Sequence, residues 1–483
     1  MCWEVFLMSP FNEKPAFEGA GQYVKKVCEQ VRWGKAHRVI SEELLNHMED
    51  QKAAFLQKGQ QEEEAEKNAV LEMGDAVTVG QQLDRTHRPR PDWGTLLIVG
   101  VCIVVSIVLR YFLSLNAGGG SQPAVGYFYP YLAALPLGIA VMIGIYFMDY
   151  SIVGKYPKSL YGIVLACCLL GYGFSPQINY VHIHVFYYAL ILTCLYGGIV
   201  YSQRGKSYSG VVFCGAVGVI SCLVFGLRVS VTWMFALNGA VLLTAAIKRD
   251  WFRVQKKYAL ALVWVPVAFI IMMPFLLYFR RFKYMFITEG AEYGQSYVLN
   301  MVREILSNAK LFGQGKLPSY MFQSNMGLEE GNIIESLLPS WKSDYSLTYM
   351  IYKLGWVAAV IVLILVVFLM VRLFKIVNKQ SSQLGYMISL GVTITVIWQS
   401  VIFLLNNLGI CNWSSCPLPF ISPGNSSFVV NMGLMGLILS AYRNNSIFRD
   451  RKFSMKSAAG SFGEDPEQHC VNLWKWQLTI RKL

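Results

Sequence analysis

Apolar runs of bilayer-crossing length recur from Trp93 onward, separated by short polar intervals. They lie at about 94–115, 130–149, 158–175, 182–202, 209–227, 229–247, 258–279, 350–374, 384–408 and 426–442. Each is close to the roughly 20 residues that an α-helix needs to cross hydrocarbon. Residues 1–92 show a different pattern. Ser41 to Lys58 has helical periodicity with acids in its first turn and Gly59 as a stop. Gln61 to Met73 reads as a second helix ending at Gly74, and Asp75 can cap a third that runs towards His87. The pattern predicts an all-α polytopic membrane protein with about ten transmembrane helices. A large outer loop, residues 280–349, separates helices 7 and 8, and a small soluble helical domain precedes the first. The expected domains are a cytoplasmic helical prefix (1–92), a membrane domain (93–445) and a cytoplasmic tail (446–483).

Charge settles the expected orientation. The chain of 483 residues is 54% hydrophobic and 15% charged, with a formal net charge of +13. No groove-reading or base-stacking module accompanies the excess of bases, so nucleic acid is not an expected partner. The bases gather instead in alternate short loops: Lys155 and Lys158, Arg204 and Lys206, Lys248 to Lys257, and Arg372 to Lys379, with Arg443, Arg449, Arg451 and Lys452 after the last run. Loops 116–129, 176–181 and 409–425 carry no charge. The positive-inside rule then places both termini in the cytoplasm and 280–349 outside. Met1 to Ala20 contains Glu4, Glu13 and Lys14 without an apolar core, so no cleavable signal peptide is expected. No Asp or Glu lies centrally in a membrane run, which lowers an ion-coupled transporter reading. No Walker-type loop is present, which argues against an ATP-driven pump. Cys102, Cys167, Cys168, Cys194, Cys214 and Cys222 sit in apolar runs as small hydrophobes, and no metal-type Cys/His spacing occurs.

The loop and the second half of the membrane domain carry a motif series. Tyr293-Gly-Gln295 precedes Leu311-Phe-Gly313-Gln-Gly315-Lys316, then Leu338-Pro339-Ser-Trp-Lys342-Ser343-Asp344-Tyr345, then Leu354-Gly355-Trp356. Gln399 and the run PLPFISPGNSS, Pro417 to Ser427, come next, with NMGLMGLILS and Arg443 after them. In this order and spacing the series resembles the SEDS family of bacterial cell-wall polymerases (the FtsW/RodA/SpoVE type). It departs from the family at Tyr352-Lys353, where an acidic pair is usual, and at Pro423-Gly424-Asn425 within the serine-rich run. Residues 1–92, with MGDAVTVGQQLDRTHRP as their most recognisable part, resemble the helical prefix found before bacterial permease-type membrane proteins.

The resemblance implies a peptidoglycan glycosyltransferase that polymerises lipid II at the outer face of the bacterial cytoplasmic membrane, in division, elongation or sporulation. The expected partner is a class B penicillin-binding protein transpeptidase. The alternative is a non-catalytic lipid-II-binding scaffold or a transporter of lipid-linked precursors. In the polymerase reading, an acceptor hydroxyl attacks an anomeric carbon whose leaving group is a polyprenyl diphosphate. One carboxylate acting as base can then suffice. The resemblance assigns that place to Asp344, whose competing explanation is a helix cap. Asp344 is also the candidate for holding a divalent cation, Mg or Mn, against the diphosphate. Candidates for binding the substrate are Arg280, Arg281, Lys283, Lys342 and Ser343, with Gln399, Ser422, Gly424, Ser426 and Ser427 from the later motifs. Ser426 or Ser427 can cap the tenth helix. Cys411 and Cys416 share an outer loop, which leaves a disulfide open.

Overall fold

Four helices form the head: α1 (Ala20–Gln30), α2 (Gly34–Gln57), α3 (Glu62–Glu72) and α4 (Ala76–His87). The computed structural model describes residues 19–89, 91–117, 125–174, 177–178, 181–182, 184–225, 229–277, 295–317, 333–411, 416–445, 468–473 and 476–481. The α2 helix starts seven residues before the predicted Ser41. The reason is a single apolar stripe at helical spacing, Ala36, Ile40, Leu44 and Met48, all buried. With Tyr23, Val24 and Val27 of α1 these residues make the head's own core. Gly59 and Gly74 stop α2 and α3 with φ of 85° and 79°. The Asp75 carboxylate accepts from the Thr78 N–H at 2.8 Å and so caps α4, as the sequence predicts.

The body holds helices close to each predicted membrane run. They are α5 (Trp93–Ala117), α6 (Val125–Phe147), α7 (Ser151–Lys155), α8 (Pro157–Phe174), α9 (His184–Ser202), α10 (Tyr208–Val224), α11 (Val229–Lys248) and α12 (Lys256–Leu277). After the loop come α13 (Gln295–Ser307), α14 (Ile333–Leu337), α15 (Ser346–Leu354), α16 (Trp356–Lys379), α17 (Gln383–Asn407) and α18 (Asn425–Arg443). Eight helices among the described residues are long and apolar enough to cross a membrane. The protein is therefore a multi-pass membrane protein with an N-terminal helical region. Two helices at predicted positions do not qualify. One, α10, has 17 residues. The other, α18, carries Asn425, Ser426, Ser427 and Asn431 in its first half.

The predicted run 350–374 is in fact two helices. Gly355 adopts φ of 95°, which separates α15 from α16. A Cβ there would lie 2.4 Å from the Leu311 carbonyl oxygen, so glycine is required twice over. The α9, α11 and α17 helices are mostly buried, while α6, α8 and α12 turn most of their apolar surface outward. Close packing uses small residues, as lipid-embedded helices do: at Gly436 of α18 a Cβ would meet the Met142 carbonyl at 2.5 Å. At the head end of the bundle, Lys35 of α2 lies 3.8 Å from Asp149, just past α6. The described residues of the charged interval, 295–317 and 333–349, lie at the opposite, loop end. There the Arg303 Nε donates to the Gly409 carbonyl at 2.7 Å and ties α13 to the end of α17.

Residues 449–483 form a separate unit. Within it, β3 (Gln468–Leu473) and β4 (Trp476–Arg481) pair antiparallel, with Val471 opposite Leu478. A second short pair, β1 (Gln177–Ile178) and β2 (Val181–His182), connects α8 to α9.

Candidate active site around Asp344

Between α14 and α15 the chain makes a tight turn around one carbonyl. Ser340 sits at φ of 52°, and its oxygen accepts from the N–H groups of Ser343, Asp344 and Tyr345 at 2.9, 3.0 and 3.3 Å. A serine is strained in this left-handed region, and three hydrogen bonds converging on a single acceptor offset the strain. The turn leaves Asp344 half-buried.

Asp344 does not cap the next helix. Tyr345 occupies the cap position without a side-chain bond. The capping atom comes from another helix: the Asn407 Oδ1 accepts from the N–H groups of Leu347 and Thr348 at 3.1 and 3.0 Å. The Asn407 Nδ2 donates to the Asp344 carbonyl at 2.7 Å. One fully buried amide thus satisfies the start of α15 and fixes the backbone at Asp344.

The Pro417–Ser427 run packs against the same turn. Its residues up to Pro423 are buried, and Phe420 adopts φ of 66° to fold the run back. The Ser422 Oγ donates to the Ser343 carbonyl at 3.1 Å. The Ser422 carbonyl accepts from Arg110 Nη2 at 3.4 Å, and Arg110 Nη1 donates to Asn425 Oδ1 at 3.0 Å. Arg110, on α5, is only 2% exposed, with its guanidinium 3.7 Å from the centre of the Tyr131 ring. Ser422 therefore joins a buried cation to the segment that carries Asp344. Composition and spacing did not single out Arg110, although a lone charge inside the run 94–115 was the signal for it.

The remaining candidates divide. Lys342 is half-buried, with its ammonium 5.1 Å from the Trp341 ring, and it belongs to the turn. Ser343 contributes its carbonyl. Gly424 is the N-cap of α18 without a side-chain bond, so neither Ser426 nor Ser427 caps that helix as expected; both lie inside its first turn. Ser426 is exposed. Ser427 is buried and engaged by the Asn431 Nδ2. Gln399 is also wholly buried and exchanges amide hydrogen bonds with Asn431 at 3.1 and 3.2 Å. These two are fastened into the interior between α17 and α18. Arg280, Arg281 and Lys283 lie outside the described residues.

Cys411 and Cys416 are both buried, and no disulfide joins them. Burial pushes the Cys416 thiol up, and the nearby Asp344 charge adds to this. The Tyr345 phenol is raised by burial first and then by the charges of Asp344 and Cys411, so it stays protonated. The glycines of Leu311–Lys316 act locally. The Gly313 and Gly315 N–H groups donate to the carbonyls of Leu354 and Tyr352 at 3.0 and 2.8 Å, closing the end of α15. No group of three His, Cys, Asp or Glu residues suited to a metal ion occurs among the described residues.

Residues 175–447, more than half of the chain, match the FtsW/RodA/SpoVE family model, described as a cell cycle protein. The chain belongs to the FtsW/RodA/SpoVE family. This FtsW/RodA/SpoVE member is 28% identical over 151 residues to a probable peptidoglycan glycosyltransferase, FtsW, of Enterococcus hirae, covering 31% of this chain and 34% of that protein. It is 27% identical over 127 residues to the peptidoglycan glycosyltransferase MrdB of Helicobacter pylori, covering 26% of this chain and 32% of that one. The matches thus span about a third of the length of these curated relatives. A chain from a peptidoglycan synthase complex, studied for the structural coordination of polymerization and crosslinking, superposes with a TM-score of 0.54 at 16% identity. That superposition covers 74% of this chain and 98% of the other, and it places the fold. Arg110 precedes the segment matched to the family.

Proposed function

We propose that this FtsW/RodA/SpoVE member is a peptidoglycan glycosyltransferase that polymerises lipid II, with Asp344 as the general base. The observation that carries the reading is the turn at Asp344. Its backbone is held by Ser340, Asn407 and Ser422, while Asn407 takes over the capping role that would otherwise explain an acid before α15. The uncharged short loops at the loop end support an outward-facing site, with both termini in the cytoplasm.

In this reading the Asp344 carboxylate accepts the proton of the acceptor sugar hydroxyl as its oxygen bonds to the anomeric carbon of the donor. The bond from that carbon to the polyprenyl diphosphate breaks, and the electron pair leaves with the diphosphate. A carboxylate base of this kind contributes about 10²–10⁴-fold. Lys342 lies just before Asp344 in the turn, and Arg110 lies behind Ser422. Both bring positive charge to the Asp344 turn, and such charge would offset the negative charge that develops on the leaving group. Lys342 is half-buried, whereas Arg110 is buried. A divalent cation, if used, would rest on the Asp344 carboxylate and on the substrate's own diphosphate, an arrangement ordinary for Mg. Such an ion would supply charge neutralisation at the leaving oxygens.

The partner in this reading is a transpeptidase that cross-links the glycan, in division, elongation or sporulation. Purified protein incubated with labelled lipid II, with and without such a partner, tests the reading. Glycan chains support it. Binding of lipid II with no polymer under either condition favours the scaffold or transporter alternative.

A further inference from the structure

The Asp344 turn has two arms, α14 before it and α15 after it, and a largely buried ion pair joins them. Glu335 of α14 and Lys353 of α15 meet with Nζ 3.3 Å from Oε1, and their side chains are only 12% and 10% exposed. The Tyr349 hydroxyl donates to the same Glu335 oxygen at 2.6 Å. The second carboxylate oxygen, Oε2, is buried without a hydrogen-bond partner among the described residues. Lys353 lies 5.7 and 6.0 Å from the ring centres of Tyr349 and Tyr352. Tyr349 is fully buried and packs in a tilted arrangement on Trp341, ring centres 4.6 Å apart, three residues before Asp344. The chain of contacts therefore runs from Lys353 through Glu335 and Tyr349 to Trp341 in the turn itself.

A buried pair with an unsatisfied oxygen is a poor source of stability, because desolvation consumes most of the Coulomb gain. Apolar residues of similar volume would hold the arms together at least as well. What charge adds is selectivity of pairing: either partner alone would be a buried, uncompensated ion, so the arms are stable only when closed on each other. We propose that the Glu335–Lys353 pair is a latch that closes the two arms and positions the Asp344 carboxylate. Glu335 and Lys353 are positioning residues and touch no reacting atom. The proposal rests on the reading of Asp344 as the base, and its test separates the two.

The test uses the full-length protein in lipid nanodiscs and three variants: Glu335→Gln, Lys353→Met, and the reversed pair Glu335→Lys/Lys353→Glu. The first readout needs no activity. Trypsin cleavage after Lys342, identified by fragment mass, is expected to be about tenfold faster in Lys353→Met and to return towards the wild-type rate in the reversed pair. The second readout is lipid II polymerisation, with a fall in kcat at nearly unchanged KM in the single variants and recovery in the reversed pair. Unchanged cleavage in Lys353→Met would overturn the latch. So would equally fast cleavage in the single and reversed variants, or a turn that opens without loss of kcat. If the wild type makes no glycan while cleavage still depends on the pairing, the latch stands and the polymerase reading falls.

Discussion

Replacing Asn407 tests the geometry on which the Asp344 reading depends. Its side chain accepts two backbone N–H groups at the start of α15 and donates to the Asp344 carbonyl, all in a fully buried position. Asn407→Ala removes a cap, which costs about 1–2 kcal/mol. It also removes the side-chain donor to the half-buried Asp344 carbonyl, at about 1–1.5 kcal/mol for a lost hydrogen bond. Together these amount to roughly 3 kcal/mol, or about a hundredfold in the constant for local opening. Hydrogen exchange read by mass spectrometry on peptides spanning 343–352 should report an increase of that order. Asn407→Asp keeps acceptors for Leu347 and Thr348 but cannot donate to Asp344, so it should hold the helix start and loosen the turn. Exchange in Asn407→Ala within about threefold of wild type would show that this amide does not organise the site.

Three further outcomes are expected at particular residues. Gly355→Ala places a Cβ 2.4 Å from a backbone oxygen and should lower the melting temperature of the purified protein clearly more than Gly313→Ala, whose Cβ meets nothing within 4 Å. Both share the cost of about 1–2 kcal/mol for a left-handed alanine. In the head, the Thr78 hydroxyl and N–H hold the Asp75 carboxyl below its usual range. Its contribution is present at neutral pH and fades as pH falls through the folded-state pKa. Exchange of the first-turn amides of α4 should therefore be faster in Asp75→Ala than in wild type at neutral pH, and the difference should shrink as pH falls through that pKa. A membrane-impermeant thiol reagent on intact cells should label Ser307→Cys and spare Gln57→Cys; the opposite pattern would reverse the proposed orientation.

The positions of the membrane helices were legible because each is a continuous apolar run, and their ends agree to within a few residues except at Gly355. There the sequence SLTYMIYKLGW is apolar enough to merge with the next run, and only the Leu311 backbone reveals why the helix must break. The start of α2 was misplaced because the acids after Ser41 read as a first turn, whereas Ala36 and Ile40 before them pack in the head core. At the site, motif order brought out Asp344, Lys342, Ser343 and Ser422. It could not say which way a side chain points, so Gln399 and Ser427 were grouped with them although Asn431 holds both in the interior. Asn407 gave no signal, being one amide at the end of a long apolar helix. Its role exists only in the tertiary structure.

Asp344→Asn, assayed for lipid II polymerisation, tests the central claim most directly. Asparagine keeps the size of the side chain, and the backbone bonds from Asn407 and to Ser340 do not depend on the carboxylate. The account predicts a stable, membrane-inserted protein that still binds lipid II and polymerises it about 10²–10⁴-fold more slowly. Polymerisation at the wild-type rate by Asp344→Asn would contradict both the general-base role and the metal-holding role for this residue.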